Sequence, residues 1–81
     1  MPQYLSELAK GQKIKVIKEF YDFDNDKIEA GRILTFRDYN YFVHDGGYTF
    51  SFEETVIRLA EIDGGNERVL NSFSEYFEMI E

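Results

Sequence analysis

KIKVIKEFYDFDNDKIEAGRILTFRDYNYFVHDGGYTFSFEETVIRL, running from Lys13 to Leu59, is a nearly continuous series of short β-type runs separated by turn chemistry. The turns are Asp24-Asn25-Asp26, Ala30-Gly31 and His44-Asp45-Gly46-Gly47, rich in residue types that bond their own main chain or tolerate left-handed backbone. Ile14 and Val16 alternate with Lys13 and Lys15, as on a half-exposed strand. The alternation slips at Val16-Ile17, which reverses the buried face and predicts a bulge or bend near residues 17–19. Past Gly31, Leu34 and Phe36 share one face of a second strand, and Tyr39 to His44 reads as a third. Asp45-Gly46 suits a tight hairpin turn, which Gly47 extends into a bulge. Tyr48, Phe50 and Phe52 alternate cleanly with Thr49 and Ser51, and Val56 to Ala60 makes a last short strand.

The flanks of this stretch read differently. Pro2 to Lys10 fits one or two helical turns, with Leu5 and Leu8 on one side and Gly11 closing them. Ile62-Asp-Gly-Gly65 ends the β pattern. Asn66 is then a good N-cap, and Val69, Leu70, Phe73, Tyr76, Phe77 and Ile80 recur at helical spacing, predicting one helix over about residues 66–80. The sequence thus predicts a single domain, 1–81, that is mainly β (α+β). A five-stranded antiparallel barrel would cover about 12–61, with a C-terminal amphipathic helix packed on it. Its expected core is Ile14, Val16, Phe20, Leu34, Phe36, Phe42, Phe50, Phe52, Ile57, Leu59, Val69, Leu70, Phe73 and Phe77.

Composition narrows the function. Eight Phe and six Tyr supply large apolar areas to a chain of only 81 residues. With no cysteine there is no disulfide framework and no thiolate metal site. The first ten residues do not resemble a signal peptide, and no apolar run reaches the roughly 18–20 residues of a membrane helix, so a soluble cytoplasmic protein is expected. The net charge is −7, gathered as −4 over residues 19–29 and −6 over residues 53–81, whereas residues 1–18 are +3. That balance disfavours a direct nucleic-acid interface, which would rest on Lys10, Lys13, Lys15 and Lys18 alone.

No cluster carries recognisable catalytic chemistry. Asp22, Asp24 and Asp26 resemble the start of a calcium loop, but its sixth and twelfth positions hold Lys27 and Ile33, where Gly and Glu are required. His44 is the only histidine, which leaves a transition-metal site without ligands and a triad without a placed nucleophile. Gly46-Gly47 and Gly64-Gly65 are turn pairs with no neighbouring Lys-Ser/Thr to hold phosphate. We therefore expect no enzyme, no cofactor and no metal.

Two resemblances accompany these residues. Glu19-Phe-Tyr-Asp-Phe-Asp24 followed by Gly31-Arg-Ile-Leu-Thr-Phe36 resembles the Ala-Leu-Tyr-Asp-Tyr signature of SH3 domains and the strand after its acidic loop. The resemblance implies an SH3-like barrel in which Tyr21 and Phe23 take the groove positions; the absence of tryptophan and of a late proline argues against proline-peptide binding. From about Lys15 to Phe77 the chain is also similar to the bacterial domain of unknown function 3601. The similarity is carried by Phe20-Tyr-Asp-Phe23, Gly31 with Phe36, Phe42 before Asp45-Gly-Gly47, Thr49-Phe50, Ile57-Arg-Leu59 and Tyr76-Phe77. That family implies architecture and no activity.

The aromatic surplus is the positive functional signal. One strand face cannot bury all of Tyr39-Asn-Tyr-Phe42, and surface tyrosine is common in protein interfaces. The expectation is a protein-interaction module whose partner, of unknown identity, contacts Tyr21, Phe23, Tyr39, Tyr41 and Tyr48. Asp22, Asp24, Asp26 and Glu29 would steer basic residues to it. The alternative is a small acidic inhibitor, an immunity or anti-defence protein, that blocks a basic nucleic-acid-binding partner.

Overall fold

The alternating runs do form strands, and they assemble mainly into one antiparallel sheet. A computed structural model describes residues 3–43, 46–62 and 64–80. In chain order a 3-10 turn (Leu5–Glu7) precedes β1 (Lys13–Val16), β2 (Phe20–Tyr21), β3 (Lys27–Ile28), β4 (Ile33–Phe42), β5 (Gly47–Phe52) and β6 (Val56–Ala60). Then come α1 (Gly64–Asn71), α2 (Phe73–Tyr76) and β7 (Phe77–Ile80). The main sheet has the order β6-β5-β4-β1-β7, while β2 and β3 form a separate two-stranded ribbon. All its neighbours are antiparallel. The slip at Val16-Ile17 is realised as a strand end: β1 stops at Val16, Ile17 turns to solvent, and β2 resumes at Phe20.

Four expectations are corrected. The second and third strands are one ten-residue strand, β4, because a bulge at Arg37 absorbs the change of face. Phe36 pairs with Phe52, but the next pair is Asp38 with Ser51, so the inward parity moves from Leu34 and Phe36 to Tyr39 and Tyr41. Phe42, expected in the core, is thereby turned outward and is exposed. The fifteen-residue helix is also broken. Ser72 leaves helical backbone (φ −128°, ψ 62°), and Phe77 is extended (φ −136°, ψ 155°). Residues 77–80 then add to the sheet beside β1, pairing Lys13 with Ile80 and Val16 with Phe77. β7 thus supplies the fifth strand. Finally, no ladder joins β6 to β7 among the described residues, so the five strands make an open sheet where a barrel was expected.

The remaining predicted core residues are buried, joined by Leu5, Leu8, Ile28, Ala60 and Tyr76. Each large side chain contributes about 1.5–3 kcal/mol on full burial. Phe20 lies edge-on to both Tyr76 and Phe77 with ring centroids 5.6 Å away, which ties the β2–β3 ribbon to the C-terminal segment. The N-terminal turn docks through Leu5 and Leu8, and Glu7 Oε1 accepts from the amides of Gln3 (2.6 Å) and Tyr4 (3.2 Å). Pro2, expected near the start of that turn, and His44-Asp45, expected in the hairpin turn, lie outside the described residues.

Candidate functional site

The acidic loop after β2 is built by its own side chains. Asp22 is buried, and its Oδ1 accepts from the Asp26 amide at 2.8 Å. Asp22 and Asp26 also exchange a backbone bond (3.1 Å), and Asn25 takes the left-handed conformation (φ 65°) that asparagine tolerates. The loop lies along the free edge of β6. The Phe23 amide donates to the Arg58 carbonyl (2.7 Å), while Asp22 Oδ2 receives the Arg58 amide at a long 3.5 Å. Further along that edge, Asn66 Oδ1 accepts from the Ala60 amide (3.0 Å) and Asn66 Nδ2 donates to the Tyr21 carbonyl (3.1 Å). Asn66 is the third residue of α1 rather than the expected N-cap, and its side chain closes the sheet edge.

This arrangement divides the predicted acidic residues by role. The carboxylates of Asp22, Asp24 and Asp26 gather within 4.8 Å, but Asp22 is used by the fold and Asp24 pairs with Arg58 Nη1 at 3.1 Å. Asp24, Asp26 and Glu29 are exposed and face solvent; Asp22 is not. Arg58 also sits over the Phe23 ring, 5.8 Å from its centroid, holding an exposed aromatic in place.

The predicted tyrosines come together on the β4–β5 hairpin. Past the bulge, Tyr39 faces Phe50 and Tyr41 faces Tyr48 as cross-strand partners. Their rings touch: Tyr41–Tyr48 at 4.8 Å, Tyr48–Phe50 stacked at 5.5 Å, Tyr39–Phe50 at 5.7 Å and Tyr39–Tyr48 at 5.9 Å. Phe50 is the buried end of this row and Tyr39 and Tyr41 are the exposed end. The Tyr41 hydroxyl donates to Glu61 Oε2 at 2.9 Å, a bond that raises its pKa above the ordinary value; burial first and then the Glu61 charge raise that of Tyr48.

Phe42 belongs to this surface although the sequence assigned it to the core. With Phe23, Thr49 and Arg58 it lines a shallow depression of about 20 Å3. Tyr48 borders the same depression and so connects the loop and the hairpin halves of the aromatic surface. Tyr21 is exposed on the β2–β3 ribbon and enters no ring contact among the described residues. Arg58 and Glu61 were the missed members; neither has a sequence signal, because each acts through a neighbour brought by the sheet.

No protein-family model matches the chain, and no curated protein matches it. Among solved structures it is similar to the integron cassette protein VCH_CASS4 from the mobile metagenome of Vibrio cholerae. The TM-score is 0.85 at 24% identity, over 95% of this chain and 97% of that one. At that identity the likeness shows the fold: a small, mainly β domain with a five-stranded antiparallel sheet and short helices. No helix of the described residues is long and apolar enough to cross a membrane.

Proposed function

We propose that this chain is a non-enzymatic protein-interaction module of bacterial type, acting in the cytoplasm and binding a basic partner through its aromatic surface. One observation carries the reading: Tyr21, Phe23, Tyr39, Tyr41 and Phe42 all stand 40–50% exposed on so small a domain. Exposed aromatic rings held by neighbours anchor protein interfaces, since they offer contact area with little side-chain entropy to lose. Asp24, Asp26 and Glu29 add negative charge near Phe23 and Tyr21. Asp22 supports that loop from within. In this reading the bent sheet serves as an SH3-like scaffold, and kinship with the domain of unknown function 3601 belongs to the same proposal. The acidic-inhibitor form of the reading draws on the net charge of −7, which suits capture of a surface that otherwise binds phosphate.

The experiment is capture from nuclease-treated host lysate at low and physiological ionic strength, with wild type beside Tyr21→Ala/Phe23→Ala. A stoichiometric partner retained by wild type and lost by the folded double variant supports the module. Steep loss of that partner with salt supports the inhibitor form. A partner held equally by both proteins removes these residues from the site, and no partner at either salt sinks the interaction reading.

A further inference from the structure

The N-terminal turn, β5 and α1 leave a cleft of about 310 Å3. Its wall carries two tyrosines, Tyr4 and Tyr48, two carboxylates, Glu61 and Glu67, the Asn71 amide and the apolar Leu70. No lysine or arginine is among its described lining residues. We propose that this cleft binds a small organic cation: a guanidinium or primary ammonium group on an alkyl stem.

The chemistry of the wall selects that class. Two carboxylates and no described lysine or arginine at one cleft repel an anion and attract a cation. A cation there has two carboxylates and the Asn71 amide for its charged head, and Leu70 and the two tyrosines for its alkyl stem. The volume sits at the small end of ligand sites, which matches a ligand of side-chain size. Two of these groups are also held in place. The Glu61 amide donates to the Gly46 carbonyl (2.7 Å) and its carboxylate receives the Tyr41 hydroxyl, while Tyr48 is stacked on Phe50. The burial and negative charge that raise the Tyr48 pKa show that Tyr48 already feels Glu61. The inference goes beyond the interaction reading, because none of the residues proposed there lines this cleft; Tyr41 touches it only through its hydrogen bond to Glu61.

The test is an amide-resolved NMR titration of the full chain with three probes: agmatine as a free cation, N-acetyl-arginine methylamide as a side-chain mimic, and N-acetyl-citrulline methylamide as the neutral isostere. The expected result is saturable shifts at residues 4–6, 48, 61 and 67–71 with the cations and none with the citrulline probe. Glu67 is exposed, so Glu67→Gln should keep the thermal midpoint while weakening the cation about tenfold, as loss of one charge-assisted contact does. Tighter agmatine binding assigns a free cation; tighter arginine-amide binding assigns a partner's side chain. Tyr21→Ala/Phe23→Ala should leave agmatine binding unchanged, so this site and the partner surface fail separately. The proposal is overturned by no saturation up to about 10 mM, by equal binding of the citrulline probe, or by shifts centred on Asp24 and Asp26.

Discussion

At the scale of single residues, polar side chains do the work of missing strands. Among the described residues the buried side chains of Asp22 and Asn66, and the Glu54 carboxylate beside buried Thr35, each take up a backbone amide that the sheet leaves open. Asn66 satisfies one amide of β6 and one carbonyl of β2, so Asn66→Ala leaves both without that partner. We expect a loss of about 1–3 kcal/mol, read from the urea midpoint. Thr35 shows the same logic where β5 ends. Its carbonyl accepts from the Glu53 amide (2.9 Å), while its amide donates to Glu54 Oε1 (2.7 Å) and its hydroxyl to Oε2 (3.0 Å). The Thr35 amide, opposed by burial and helped by the hydroxyl, holds the Glu54 pKa below its ordinary 4.5. A carboxylate whose folded pKa lies below the unfolded one contributes fully above the unfolded value, and the contribution disappears as pH falls through the folded one. Glu54→Gln should therefore flatten the fall in stability below about pH 4.5, measured by urea unfolding at pH 7 and pH 3.

Among the elements, β7 is the least local. Residues 73–80 keep helical spacing of their apolar side chains, yet Phe77, Met79 and Ile80 serve equally on a strand. The free edge of β1 decides the matter by offering main-chain partners. The Ile17 amide donates to the Tyr76 carbonyl at 2.7 Å, which sets the ladder phase: the amides of Glu78 and Ile80 face β1, that of Met79 faces away from it, and that of Phe77 donates to the Phe73 carbonyl. Glu78→Pro should consequently destabilise by about 1–3 kcal/mol, and Met79→Pro by much less, since proline is tolerated where an edge amide faces solvent. Equal urea midpoints for the two variants would show that residues 77–80 are not paired as described. The bulge in β4 is the other element-scale device, because a single extra residue at Arg37 turns Tyr39 and Tyr41 to the face of Phe50 and puts Phe42 outside.

For the whole molecule, charge is the dominant long-range feature. Among the described residues three surface ion pairs form: Lys18 with Glu75 (2.5 Å), Arg58 with Asp24 (3.1 Å) and Lys27 with Glu19 (3.4 Å). Exposed pairs of this kind are screened by water and contribute little. A net charge of −7 on 81 residues acts against compactness everywhere at once. Raising salt screens both effects, and the net repulsion should win, so the thermal midpoint is expected to rise between roughly 0.01 and 0.15 M salt. A falling midpoint would mean that the ion pairs, led by Lys18–Glu75, dominate the charge balance.

Local pattern in the sequence determined the strands at 13–16, 48–52 and 56–60, the break after Val16 and thirteen of the fourteen named core residues, because alternation and turn chemistry act over a few neighbours. It also required some of Tyr39, Tyr41 and Phe42 to reach the surface, since one strand face cannot bury them all, and the structure exposes all three. Only the tertiary structure decided the outward turn of Phe42, the edge-closing roles of Asp22 and Asn66, and the cleft that joins Tyr4 to Glu67. Each depends on a partner brought from a distant part of the chain. The four residues of β7 show the reason most plainly: their sequence fits helix and strand alike, and it is the unpaired edge of β1, sixty-odd residues earlier, that makes them a strand.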